Sequence, residues 1–406
     1  MTPYVTKSFR VAGLLAFTSI RRGNAGIIIL TVLILTLISL NMLFVPGLLN
    51  GLVSGANDQL RNTYSGDIVV ESDTASLLLS DVDDIIGKIE AIDGVVSATS
   101  RNNMVAQLVF ENTFASAVVY GVQPDKEKEV FTIQDSLVEG SYLSPDDRDM
   151  IMLGMQVAGA DKTDLELYAR SLQIVHAGDE ITVAYGNGVK RNYTVKGIFH
   201  TEFIQTDLQA HVSQTEFDSV NPLTVDGAVS IHIRLKPEAD IASIIAHINS
   251  IESGLKILEW EDYAGIVRSL TDSFNVINVI LNVVNFLIAG ITVFIVTYID
   301  VANRRRQIGV QRAIGITPAS ITLSYLMRAL FYAVVAIVLA VLLFVFVVTP
   351  LEAEYPFHFP FGVVYLVIGL HDTLRMTLIV LGVSLLASFL PVRGVMRMKI
   401  MDAIWG

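Results

Sequence analysis

The 406 residues include no cysteine. That excludes disulfides, thiolate metal sites, a cysteine nucleophile and a lipid-modified N-terminal cysteine. No loop of the form G-x-x-x-x-G-K-[ST] occurs; the Gly87-Lys88 pair is followed by Ile89 inside a predicted helix, so ATP phosphates are not cradled by that route. There is no H-E-x-x-H, and His176, His200, His211, His232, His247, His358 and His371 never stand three or four apart. This argues against catalytic zinc and for ordinary surface or core histidines. Carboxylate pairs such as Asp83-Asp84 and Asp146-Asp147 are adjacent in sequence, do not face each other on a helix, and read as solvated surface. No acidic residue precedes Asp58.

What is abundant is apolar surface. Hydrophobic residues make up 52% and the mean hydropathy is +0.56, more than a soluble globular chain tolerates, so part of the chain sits in lipid. Gly26 to Leu48 is an uncharged run of 23 residues, long enough at about 1.5 Å per residue to cross about 30 Å of hydrocarbon. A cleavable signal peptide competes with this reading, but the run is too long and no small-residue cleavage site follows. Phe274 to Ile299, Ala329 to Thr349 (ended by Pro350) and Thr373 to Val392 are three further spans. Positions 361–370 are also apolar but too few to cross, and His371 and Asp372 follow; they read as a strand or an interfacial segment.

Charge sets the orientation. Positions 50–272 hold 15 Lys/Arg against 35 Asp/Glu, whereas the rest holds 13 against 5. The N-terminal segment 1–25, the link 300–328 and the tail 393–406 are basic, and the 350–372 loop before the last span has no Lys or Arg. Both termini are therefore expected in the cytoplasm of a multi-pass cell-membrane protein, with the acidic domain 49–273, stalk helices included, and the last loop outside. Its charge repels nucleic acid.

Within that domain the hydrophobic period alternates. Asp67–Glu71 reads as a strand, Asp81–Ile92 as an amphipathic helix and Val95–Gly121 as a hairpin; then Ala228–Leu235, Ile241–Ile251 and Lys256–Trp260 repeat strand, helix, strand. Turn signals in positions 140–220 indicate a small β section. The expected fold is four transmembrane α-helices plus a large α+β extracytoplasmic domain, of two β-α-β units and a small β subdomain, inserted between helices 1 and 2.

The link 300–328 is the most informative stretch. Asn303-Arg304-Arg305-Arg306-Gln307 leads into Ile308-Gly309-Val310-Gln311-Arg312-Ala313-Ile314-Gly315, with Ile308, Arg312 and Gly315 at helical spacing, Gly315 as a stop and Pro318 beyond. A short helix at the inner membrane surface is one reading; a basic loop that only fixes orientation is the other.

This stretch resembles the cytoplasmic signature of the FtsX-like ABC transporter permeases, roughly R-x-R-E-I-G-x-L-R-A-L-G-A, the helix that docks on the ATPase. Leu390-Pro391-Val392-Arg393 through Asp402-Ala403-Ile404 resembles the tail of the same family. Gly140-Ser141-Tyr142-Leu143-Ser144-Pro145, Met152-Leu153-Gly154, Gly178-Asp179-Glu180-Ile181 and Val195-Lys196-Gly197-Ile198 resemble the periplasmic core domain of MacB and LolC/LolE permeases. Gln307 stands where the family usually has Glu, Ile400 where it has Pro, and positions 154–178 are longer than usual.

The resemblance implies an ATPase-coupling segment of Arg305, Gln307, Ile308, Gly309, Arg312, Ala313 and Gly315. It also implies a non-enzymatic permease subunit, no cofactor in this chain, and ATP and Mg bound by a separate ABC ATPase. Further partners would be a second permease copy or paralogue and a periplasmic adaptor or outer-membrane duct. The implied work is mechanical: export or release of a lipoprotein, peptide or hydrophobic compound, with no passage through the bundle. Arg328 reads as snorkelling to the inner surface. The alternative is a signalling complex that activates a cell-wall hydrolase or senses an extracellular ligand.

Independently of the resemblance, Asn275, Asn278, Asn282 and Asn285 recur at steps of three, four and three. This stripe is expected to face another helix, because amides are poorly tolerated in lipid; alternatively Asn275 and Asn278 lie above the membrane in a stalk.

Overall fold

The computed structural model describes residues 3–73, 78–159, 170–251, 254–359 and 362–397. The chain divides into two compact units: Met1–Leu52, Thr271–Phe357 and Tyr365–Gly406 form one, Val53–Leu270 and His358–Val364 the other.

In the first unit the apolar runs are helical, and four helices are long and apolar enough to cross a membrane: Ala25–Ser65, Thr271–Asn303, Pro318–Glu354 and Leu370–Met396. They pack through Leu35, Met42, Ala289, Val293, Ala333, Ala336, Val380 and Val383. The first contains Pro46, and Gly47 after it accepts from Val367 N at 3.0 Å. A Cβ on Gly47 would come within 2.9 Å of Ile368, so only glycine admits this close approach.

The third of these helices runs on past Thr349: a π-helical turn, Phe344–Val348, carries it into Thr349–Glu354, where Pro350 occupies a first-turn position that needs no N–H. The N-terminal segment is a helix, Pro3–Arg21, packed through Ala12 and Ala16 with Phe9, Leu14 and Phe17 exposed.

The second unit is built on strands. In chain order they are β1 Ile68–Ser72, β2 Leu79–Ser80, β3 Val95–Phe110, β4 Thr113–Val122, β5 Leu137–Gly140, β6 Met150–Gly154 and β7 Glu180–Tyr185. Then come β8 Lys190–Phe199, β9 Gln209–Ser213, β10 Gly227–Ala228, β11 Ser230–Leu235, β12 Leu255–Glu259, and the short pair β13 Phe357–Phe359 and β14 Gly362–Val364. Ten of them form one sheet in the order β12-β1-β11-β3-β4-β9-β6-β8-β5, with β7 pairing β3 and β8. Pairs β4–β9 and β6–β8 are parallel, the others antiparallel.

The expected β-α-β units are present, with helix Val82–Glu90 between β1 and β3 and helix Ile241–Ile251 between β11 and β12. Both helices turn Ile85, Ile89, Ile244 and Ile248 onto β1, β3 and β11. The middle strands are not detached from this framework: β3 is long enough to pair with β11 at its start and with β7 at its end, so one sheet carries two cores. The second core holds Leu108, Val119, Ile151, Leu153, Tyr193 and Phe217. Of the apolar stretch 361–370, Gly362–Val364 is a strand and Leu366 and Ile368 lie against the bundle core.

Candidate functional site

Between the second and third spans a separate helix, Arg305–Ala313, is set off by Arg304 at φ −105° and closed by Gly315 at φ +96°, the left-handed stop that glycine makes without strain. Thr317 then caps the third span, its hydroxyl accepting from Ser320 N at 3.3 Å, with Pro318 in the first turn. Three arginines at the positive end of a helix are unfavourable. Asp300 answers this: its Oδ1 accepts from Arg304 Nε at 2.9 Å, and Arg304 Nη1 also donates to Ser19 Oγ at 2.9 Å.

The faces of this helix differ from the sequence expectation. Ile308 and Gly309 are buried, Ile308 among Val301, Ile321, Tyr325, Val392 and Val395, because a helix lying against three others must bury one apolar stripe. They brace the segment against the spans. Arg305 and Arg312 are half-buried. The outward face carries Arg306, Gln307, Val310, Ala313 and Ile314, with Ile314 73% exposed, followed by exposed Gly315. Arg306, Val310 and Ile314 were missing from the expected set, although Val310 and Ile314 are four apart and Val310 lies roughly opposite Ile308 on the helix. The face is apolar at its centre and basic at its edge.

Arg328 does not snorkel. It is buried, and its Nη1 lies 2.7 Å from Asp300 Oδ2. The asparagine stripe is graded: Asn285 is buried and donates from Nδ2 to Asn41 Oδ1 on the first span at 3.0 Å, Asn278 and Asn282 are half-buried, and Asn275 is exposed. At Asn285 the stripe meets the first span. Tail positions 398–406, and positions 160–169 of the long 154–178 stretch, lie outside the described residues.

A second constellation lies in the inserted domain. Helix Ala25–Gln59 is continued by a π-helix, Leu60–Ser65, whose final carbonyls need donors. Arg101 Nη1 donates to Tyr64 O at 3.0 Å, Arg234 Nη2 to Arg61 O at 3.1 Å, Thr132 N to Asn62 O at 2.9 Å and His232 Nδ1 to Ser65 O at 2.8 Å. Arg101 and Glu127 are fully buried and ion-paired, with the guanidinium 3.7 Å from the Phe131 ring centroid. Burial pushes the Glu127 carboxyl up against the pull of Arg101. Burial, then the Arg101 charge, pulls His232 down to about 3, so its neutral imidazole accepts from Ser230 Oγ at 2.9 Å while donating to Ser65. These donors grip the backbone where the first helix enters the domain.

Four spans, an inserted α+β domain and a short basic helix between spans define a membrane permease subunit. The chain matches the MacB-like periplasmic core domain over residues 28–251, more than half its length, and the FtsX-like permease C-terminal domain over 279–400. It belongs to the FtsX-like ABC transporter permeases with a MacB-like core domain. Members of this family are non-catalytic membrane subunits that work with ABC ATPase partners, and they are multi-pass proteins of the inner membrane.

Among solved structures, the periplasmic region of MacB from Actinobacillus actinomycetemcomitans is 12% identical over 52% of this chain and 95% of that one, with a TM-score of 0.36. The extracellular domain of the noncanonic ABC-type transporter YknZ from Gram-positive bacteria is 8% identical over 48% and 99%, with a TM-score of 0.35. A domain of a putative permease from Porphyromonas gingivalis is 16% identical over 47% and 85%, with a TM-score of 0.30. No curated protein matches the chain.

Proposed function

We propose that this chain converts ATP hydrolysis by a separate ATPase subunit into movement of its outer domain, for export or release of a lipoprotein, peptide or hydrophobic compound. ATP and Mg bind to the partner, both termini are cytoplasmic, and the working unit contains a second permease copy or paralogue. The observation that carries this reading is the helix Arg305–Ala313: it is braced from within by Ile308 and offers Val310 and Ile314, beside Arg306, to a partner. Closure of the ATPase pushes on this face. The apolar packing of the spans favours a bundle that moves as levers over one that conducts cargo. At the far end of the first lever, Arg101, Arg234 and His232 hold its backbone to the domain.

The test is purification of the full chain from its native membrane with its bound proteins, followed by ATPase assays on the reconstituted complex. A small Walker-motif ATPase is expected to co-purify and to be stimulated by the permease. Val310→Asp and Ile314→Asp should each lower that stimulation at least tenfold with thermal stability unchanged, because both side chains are exposed. Absence of any ATPase, or full stimulation by both variants, would overturn the reading.

A further inference from the structure

Asp300 is the point where four chain segments meet. It lies near the end of the second span; its Oδ1 accepts from Arg304 Nε at 2.9 Å and its Oδ2 is ion-paired with Arg328 Nη1 of the third span at 2.7 Å. Arg304 is the residue from which the helix Arg305–Ala313 departs, and it also donates to Ser19 of the N-terminal helix. The carboxylate is thus shared between the root of that short helix and the third span. Asp300 and Arg328 are both largely buried, their side chains 19% and 10% exposed.

The surroundings leave the pair room to rearrange. Beside it is a cavity of about 20 Å³, lined by Thr31, Thr297, Tyr325 and Tyr332 as well as the pair, with space for roughly one water. Arg328 Nε and Asp300 Oδ2 are both buried without a hydrogen-bond partner, so the two side chains are held to each other by charge, with the guanidinium 4.9 Å from the Tyr325 ring centroid. A charge pair in the spans is costly to keep unless it has a task.

We propose that Asp300 is a positioning residue, a latch whose hydrogen bond to Arg304 and ion pair with Arg328 fix the angle between the short helix and the third span, and whose rearrangement passes the ATPase stroke to that span. This rests on the reading of Arg305–Ala313 as the ATPase-facing segment. A side chain that merely stabilised the bundle would be replaceable by any neutral packing; a latch would not be, because the angle depends on the shared charge.

The absence of native cysteine makes the test direct. Ala313→Cys and Val338→Cys, both at exposed positions, carry a spin-label pair in the full chain, in lipid nanodiscs with and without the ATPase. In the parent the nucleotide-free distance distribution should be narrow and should shift when ATP binds. Asp300→Asn should broaden it at least twofold in width and reduce ATPase stimulation fivefold or more, and Asp300→Glu should restore both. If Asp300→Asn alone does not fold, the double variant Asp300→Asn/Arg328→Gln, which leaves no unpaired charge between the two, should fold and still show the broad distribution. A narrow distribution in either neutralised variant, or normal coupling in the double variant, would overturn the latch. Failure of the ATPase to bind the parent would count against the function proposed above, while the distribution width in the permease alone would still decide the latch.

Discussion

Arg101, fully buried in the inserted domain, donates from Nη1 to the main-chain carbonyl of Tyr64 at 3.0 Å while its other guanidinium nitrogens are held by Glu127. The acceptor belongs to the π-helix that ends the first long helix, so a buried charge pair is the domain's hold on that helix. Burying two charges is expensive, and such a pair rarely adds net stability over an apolar substitute. Its retention here fits a task of gripping a carbonyl that an apolar side chain cannot hold.

From this follows an asymmetric double-mutant cycle. Arg101→Met leaves Glu127 buried and uncompensated and should cost about 3–5 kcal/mol. Arg101→Met/Glu127→Leu should recover most of that loss but not all, because the Tyr64 carbonyl still lacks its donor, a shortfall of about 1 kcal/mol. Denaturant titration of the full chain, followed through Trp260 fluorescence, reads both, since Trp260 stacks under Arg61 of the same π-helix at 5.5 Å. Full recovery of the parent's stability in the double variant would refute the gripping role.

The same junction is sensitive to acid. His232 is held neutral, its folded value near 3 against about 6.5 unfolded, and His211 is also depressed, by burial and then by the Arg101 charge. A base whose folded value is lowered is disfavoured when the unfolded chain can take its proton, so its full stability is present above about pH 6.5 and is lost as the pH falls from there toward 3. At pH 5.5 His232 alone should have removed about 1.4 kcal/mol. Hydrogen exchange of the β11 amides in the full chain should show this decline between pH 7.5 and 5.5, and His232→Gln should make it shallower by about that amount. An unchanged slope in His232→Gln would mean that this histidine does not set the acid response.

How much of this was legible depended on range. The four spans, the acidic insert and the strand-helix-strand repeats follow from hydrophobic period and charge, and the short helix after Arg304 from local signals, with Gly315 as its stop and Thr317-Pro318 as the next start. Which face that helix turns outward was not legible: Ile308 and Val310 are equally apolar, and only packing against Ile321 and Val392 decides that the first is buried. Asp300 and Arg328 each read as a charge flanking a span, because nothing local reveals that two residues 28 apart form an ion pair. Arg101 sits in an ordinary strand pattern, and its burial arises from partners on the π-helix and on helix Pro124–Val130. The single sheet was hidden for a similar reason, since the parallel pairs β4–β9 and β6–β8 join strands distant in sequence.

The graded asparagine stripe allows a sharper measurement within the spans. Asn285 is buried against the first span and meets Asn41 at 3.0 Å, whereas Asn275, ten residues earlier, is exposed. Interhelical hydrogen bonds between amides in bilayers are worth about 0.6 kcal/mol on average and about 1.7 at most, because an amide released from one partner finds another. Asn285→Ala and Asn41→Ala should therefore each destabilise the bundle, with a coupling energy of about 0.6–1.7 kcal/mol in the cycle closed by the double variant. Asn275→Ala should lie within about 0.5 kcal/mol of the parent, as exposed substitutions usually do. Reversible unfolding in bicelles gives all four values. Zero coupling between positions 41 and 285, with a large loss at 275, would reverse the gradient and place the working end of the stripe at its outer rather than its inner residues.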